Sequence, residues 1–123
     1  MPPDPAAPAI LDGNVIAALR ELSLLAESDL LGSVIKIFER DSVDTVVRIS
    51  AAVRADQSGD LQQALHRLKG SAATLGAQRV AALCGQMETA VEQSGTSGIA
   101  RLLEHLEAEL DHARAALAEA VAA

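Results

Sequence analysis

Apolar residues recur at three- and four-residue intervals along most of the chain, and short runs of turn-forming residues divide that recurrence into blocks. In the first block, residues 9–22, the positions Ile10, Val15, Ile16, Leu19 and Leu22 predict a short amphipathic helix with Asp12 or Asn14 near its start. Ser28 is the expected cap of a second, longer helix to about Ala55, built on Leu31, Val34, Ile35, Phe38, Val46, Ile49 and Val53. Its stripe weakens over residues 41–44, where a bend or exposed turn is expected. Asp56, Gln57, Ser58, Gly59 and Asp60 spell a turn, with Ser58 or Asp60 as the cap of a third helix whose apolar face is Leu61, Leu65, Leu68, Ala72 and Leu75.

That third helix is expected to stop around Leu75 and Gly76, glycine being suited to the C′ position. A fourth starts at Gln78 and uses Val80, Leu83, Cys84, Met87 and Val91, making an antiparallel hairpin with the third. After a loop over residues 94–98, the last segment places Ile99, Leu102, Leu103, Leu106, Leu110, Ala113, Leu117 and Val121 on one side. Four long helices joined by short turns, with no internal repeat, predict an all-α, up-down-up-down four-helix bundle, and the short first helix covers one end. The bundle domain is expected over residues 9–123, and residues 1–8, rich in proline and alanine, read as a disordered lead-in or linker.

Composition narrows this picture. The 123 residues suit one domain, and half are apolar, but mostly Ala, Leu and Val, with one Phe and no Trp or Tyr, which favours helix packing over sheets. Phe38 is expected to anchor the core. A net charge of -7 and the lack of stacking aromatics exclude a nucleic-acid surface. The single cysteine, Cys84, has no partner for an internal disulfide, and the chain shows neither a signal-peptide pattern nor an 18-residue apolar run. A cytoplasmic protein without membrane insertion is expected.

One stretch departs from the acidic background. Residues 61–87 contain no Asp or Glu yet hold Arg67, Lys69 and Arg79. His66 lies off the apolar stripe, and positions three and four away from it give a second face of Gln62, Lys69, Gly70 and Ala73: an imidazole, an ammonium and very small groups. Glycine inside a helix costs roughly 1 kcal/mol relative to alanine, so Gly70 calls for an offsetting use. Clearance is the simplest: without a Cβ one turn beyond His66, another molecule can approach the imidazole over bare backbone. A nucleophilic nitrogen, an adjacent cation and an open approach suit a phosphoryl group.

These residues resemble the histidine-containing phosphotransfer (HPt) domains of multistep two-component signalling. The family signature, H-x-L-K-G-[SA]-x-x-x-x-G, is matched by His66, Arg67, Leu68, Lys69, Gly70, Ser71 and Gly76, followed by Gln78, Arg79, Val80, Leu83 and Cys84. The resemblance implies that His66 accepts the phosphoryl group, that Lys69 steadies its oxygens, and that partners dock around Gln62, Arg67, Gly70 and Ala73. It also implies response-regulator receiver domains as partners, with a hybrid sensor histidine kinase as a further one. The receiver supplies Mg²⁺, so this chain needs no cofactor, nucleotide loop or metal of its own; it is a carrier more than an enzyme, and a monomer is expected. Glu88 departs from those family members that carry glutamine there: it is either a hydrogen-bond acceptor fixing the ring tautomer or a solvated helix residue.

Other candidates are weaker. Arg67 and Arg79 are as suited to general positive potential as to touching phosphate. His105, Glu109 and His112 share one helical face, but too few ligands accompany them for a metal site. Cys84 falls in an apolar register and reads as core. Competing functions are a four-helix adaptor that binds a receiver without carrying phosphate, and the phosphoacceptor module of a chemotaxis-type kinase.

Overall fold

The computed structural model describes residues 9–122, and within them every regular element is helical: α1 (Gly13–Leu25), α2 (Leu30–Arg54), α3 (Ser58–Thr74), α4 (Gln78–Ser94) and α5 (Ile99–Ala122). The expected lead-in, residues 1–8, lies outside the described residues. Helices α2 to α5 each pack on the next, and α5 returns to α2, so the four long helices close into a bundle with α1 leaning on α2. Its core is drawn from the apolar stripes read from the sequence, apart from Leu22 and Val121, which fall on those stripes but are exposed. Leu61, Leu65, Leu68, Ala72 and Leu75 from α3 and its end are buried, as are Val80, Leu83, Cys84, Met87 and Val91 from α4, and Phe38 joins them from α2.

The α3–α4 turn shows how local chemistry sets the topology. Gly76 takes a left-handed φ of 74°, and the turn closes in a Schellman pattern, Gly76 N–H donating to the Ala73 carbonyl and Ala77 N–H to that of Ala72. A Cβ on Gly76 would lie 2.9 Å from the Cβ of Val15, because α1 starts against this turn. The Asp12 N–H donates to the Gly76 carbonyl at 2.7 Å, the Gln78 side chain to that of Ala9, and Arg20 reaches the Ala120 carbonyl near the end of α5. Thus α1 covers the end of the bundle where α3 stops, α4 starts and α5 finishes, as expected.

Several boundaries differ from expectation. Asp12, one of the two expected caps, accepts from the Asn14 N–H, so helix α1 starts later than expected; it also runs further, and Leu22, expected on the apolar side, is exposed on its last turn together with Leu24 and Leu25. Asp29, not Ser28, caps α2, its carboxylate accepting from the Gly32 N–H. Neither Ser58 nor Asp60 caps α3: Ser58 is already helical, Gln57 holds the cap position without a side-chain bond, and Asp60 sits in the first turn, where a negative charge favours the helix dipole.

The largest correction concerns residues 41–44, which form no bend; α2 is continuous for 25 residues. The stripe turns polar there without leaving the interior. Ser42 and Thr45 are buried, and the Ser42 hydroxyl donates to the Glu39 carbonyl while accepting from Arg114 of α5 at 2.9 Å. A satisfied polar contact replaces apolar packing at this level of the bundle. Val43 and Val47 point outward instead.

Candidate functional site

Helix α3 positions the site because its apolar stripe fixes its rotation. With Leu61, Leu65, Leu68 and Ala72 turned inward, the opposite side must carry His66, Gly70 and Ala73 outward, and all three are exposed. The His66 side chain retains 75% of its accessible surface, and Lys69, one turn along, retains 37%. An ideal Cβ built on Gly70 meets nothing within 4 Å, so no contact inside the chain requires glycine there. Gln62 is half-buried, and Arg67 is exposed on the flank toward α2.

The antiparallel pairing of α3 with α4 adds a residue that periodicity in one helix does not display. Glu88 lies across from His66, with Oε2 3.7 Å from the histidine Nδ1 and Oε1 3.0 Å from the Lys69 Nζ. Its side chain is only 22% exposed, so it is not a solvated surface residue. The 3.7 Å separation is an electrostatic contact, longer than a hydrogen bond. Oε1 is shielded from solvent and held by the ammonium as an ion pair, without a directed hydrogen bond. The acid-free window of residues 61–87 therefore ends with a carboxylate folded back onto its two principal members.

Gln62, Gln63, His66, Arg67, Glu88 and Glu92 line a shallow groove of about 370 Å³ between α3 and α4. Gln63 and Glu92 do not stand out in the sequence; Glu92 follows Glu88 by four residues, so its placement on the same face is the signal that could have found it. Arg67 also borders a second groove of about 510 Å³ between α2 and α3, with Arg48 on its far side. Behind the Lys69–Glu88 pair, Cys84 is fully buried, as its register indicated. Burial first, and then the Glu88 carboxylate, push its thiol up to about 12, against a smaller downward pull from Lys69. Below that range it is a neutral core group.

The remaining candidates separate from this cluster. Arg79 faces α5, its guanidinium 4.0 Å from Glu109, which also stands 4.0 Å from His112. Among the described residues, no set of three or more His, Cys, Asp or Glu side chains is arranged to hold a metal ion, and no helix is long and apolar enough to cross a membrane.

An exposed histidine on the second helix of an antiparallel four-helix bundle, with a cation one turn further along its face, defines a class of histidine-bearing helical modules. The Hpt domain family model matches residues 33–116, and the chain belongs to that family. Its members are phosphotransfer carriers of two-component signalling. A curated relative, histidine-containing phosphotransfer protein 2 of Arabidopsis thaliana, is 28% identical over 94 residues, covering 74% of this chain and 60% of the relative's length. The fold matches the crystal structure of histidine-containing phosphotransfer protein B from Pseudomonas aeruginosa with a TM-score of 0.80 at 23% identity, covering 92% of this chain and 95% of that one. The HPT domain of a sensor hybrid histidine kinase from Shewanella aligns with a TM-score of 0.71 at 18% identity, over 92% and 94% of the two chains.

Proposed function

We propose that His66 carries a phosphoryl group between the aspartates of receiver domains in a multistep phosphorelay. The observation that carries this reading is the arrangement on α3: an exposed imidazole, the Lys69 ammonium one turn along, and open backbone at Gly70 on the same face. Because Nδ1 faces Glu88, the attacking atom is Nε2, on the far side of the ring. In the receiving direction, the Nε2 lone pair forms the N–P bond as the O–P bond of the partner's acyl phosphate breaks and its carboxylate leaves. Transfer outward reverses these events. Lys69 exchanges its pairing with Glu88 for the phosphoryl oxygens, where a charge-assisted contact offsets the three-oxygen charge.

The surface at Gly70 and Ala73 lets the partner bring its aspartate within reach, with Gln62 and Arg67 at the margin of the docking face. Positioning and cations supply most of the catalysis in such a transfer, and Mg²⁺ belongs to the receiver's acidic pocket. On this reading the protein acts in the cytoplasm, where receivers and kinase domains reside, and works as a monomer. The test is incubation with a phosphorylated receiver domain and Mg²⁺, followed by acid and base treatment. Acid-labile, base-stable label is expected on the wild type and none on His66→Gln; equal labelling of both proteins would sink the assignment. Label acquired from an ATP-loaded kinase but from no receiver would favour the chemotaxis-type module instead.

A further inference from the structure

We infer that Glu88 makes His66 a strong phosphoryl donor, shortening the life of the phosphohistidine and biasing the relay toward outward transfer. The inference rests on the phosphotransfer reading and assigns Glu88 a tuning role that acts through the ring. When phosphohistidine gives up its phosphoryl group, the Nε2–P bond breaks and an O–P bond forms to the partner's aspartate, or to water in hydrolysis. The electron pair of the broken bond returns to Nε2. If Nδ1 carries a proton, the departing ring is neutral imidazole; if it does not, the ring must leave as imidazolate, a far poorer leaving group. Glu88 Oε2 stands 3.7 Å from Nδ1, where a carboxylate favours the ring that keeps its proton.

The same carboxylate acts on the phosphoryl group directly. Glu88 is only 22% exposed and is held in place by Lys69 at 3.0 Å, so phosphorylation of His66 brings a second anion up to one that is already fixed. To reach the phosphoryl oxygens the ammonium must give up its pairing with Glu88, which weakens its net hold on them. Other charges around the groove do not reverse the sign. Arg67 lines the groove as well, but it is exposed, so solvent screens its charge, while Glu92 on α4 adds negative potential there and Cys84 behind the pair stays neutral. Glutamine at position 88 would keep the shape and remove the charge.

The experiment compares wild type with Glu88→Gln, both labelled from a phosphorylated receiver domain and Mg²⁺ and then separated from it. The expected result is a phosphohistidine half-life at pH 8 roughly five- to tenfold longer in the variant, as one partly screened charge contact implies. The equilibrium with the receiver should shift toward phosphohistidine by a similar factor. A pH profile of the decay distinguishes proton retention from a general structural effect: the fast limb should extend to higher pH in wild type than in Glu88→Gln. Glu88→Asp, which keeps the charge, should stay closer to wild type than Gln in this profile. Identical lifetimes, equilibria and profiles for wild type and Glu88→Gln would overturn the inference while leaving His66 as carrier. Failure of both proteins to take label on His66 would remove the phosphotransfer reading, and this one with it.

Discussion

Two exposed histidines stand beside glutamates in this bundle, His66 by Glu88 and His112 by Glu109, and their surroundings match further than the sequence suggests. The contacts are 3.7 and 4.0 Å, each glutamate draws a cation from a neighbouring helix, and each keeps one carboxylate oxygen shielded from solvent without a directed hydrogen bond. What differs is the direction from which the charges come. His66 and Glu88 meet across two helices, and Lys69 lies on the histidine's own face at 3.0 Å from the glutamate. His112 and Glu109 are neighbours on one helix, and the position three beyond His112 is Ala115. The nearest cation in sequence, Arg114, is turned to Ser42 and Asp111. Both regions therefore hold a histidine–glutamate contact, while a cation one turn along the histidine's own face stands beside His66 and not beside His112.

The two regions should differ most at Gly70. Replacement by arginine places a long side chain over the approach to His66, and misplacing the partner by an ångström costs about a hundredfold in rate. Gly70→Arg is expected to lower the initial transfer rate by roughly that factor, whereas Ala115→Arg beside His112 leaves it within about twofold. Stability should move the other way. The added Cβ meets open space, and arginine is the better helix former, so Gly70→Arg should gain about 0.5–1 kcal/mol in urea unfolding. Wild-type transfer by Gly70→Arg would refute clearance as the use of this glycine, and loss of fold would refute the open space around it.

The cations give the next effect. Lys69→Ala removes the ammonium that would follow the phosphoryl oxygens, and a drop of about tenfold in transfer rate is expected, the scale of one hydrogen bond to a charged group. Arg79→Ala disturbs the contact with Glu109 on the other side of α4 and should leave transfer near wild type. Initial rates from one phosphorylated receiver check both. Equal losses would mean that general positive potential, rather than a placed ammonium, supports the reaction.

The amino-acid sequence displays one side of these contrasts and hides the other. The apolar stripes of α3 and α4 are visible as helical periodicity, and because burial fixes the rotation of α3, the outward direction of His66, Gly70 and Ala73 follows from the same pattern. Gly76 is legible because few residues other than glycine tolerate its φ of 74°. Contacts between helices are not. The approach of Glu88 to His66 and Lys69 depends on the stagger of α3 against α4, and Ser42 reads as a weak point of α2 until Arg114 of α5 satisfies it. Periodicity ranks positions by polarity; it carries no information about which polar groups meet across an interface.

The smallest effect lies beneath the site, where the two regions differ again. One turn before Glu109 the chain places His105 in solvent; one turn before Glu88 it buries Cys84. The folded thiol is raised from 9.0 to about 12, chiefly by burial, and the Glu88 charge adds to the rise. A group whose folded value is raised contributes its full stability below the unfolded value and loses it as pH climbs toward the folded one. Between about pH 9 and 12 the unfolded chain has released the thiol proton and the native chain has not, so unfolding is favoured by up to about 1.4 kcal/mol per pH unit. The chain has no tyrosine to titrate in the same window. Urea unfolding at a series of pH values should therefore show stability falling from about pH 9, and Cys84→Ala should flatten that slope while starting from a lower plateau, having lost the packed sulfur. Glu88→Gln should reduce the slope only slightly, because desolvation is the larger cause. Equal slopes for wild type and Cys84→Ala would mean that another group governs alkaline stability and that the thiol beneath the Lys69–Glu88 pair is less shielded than its burial implies.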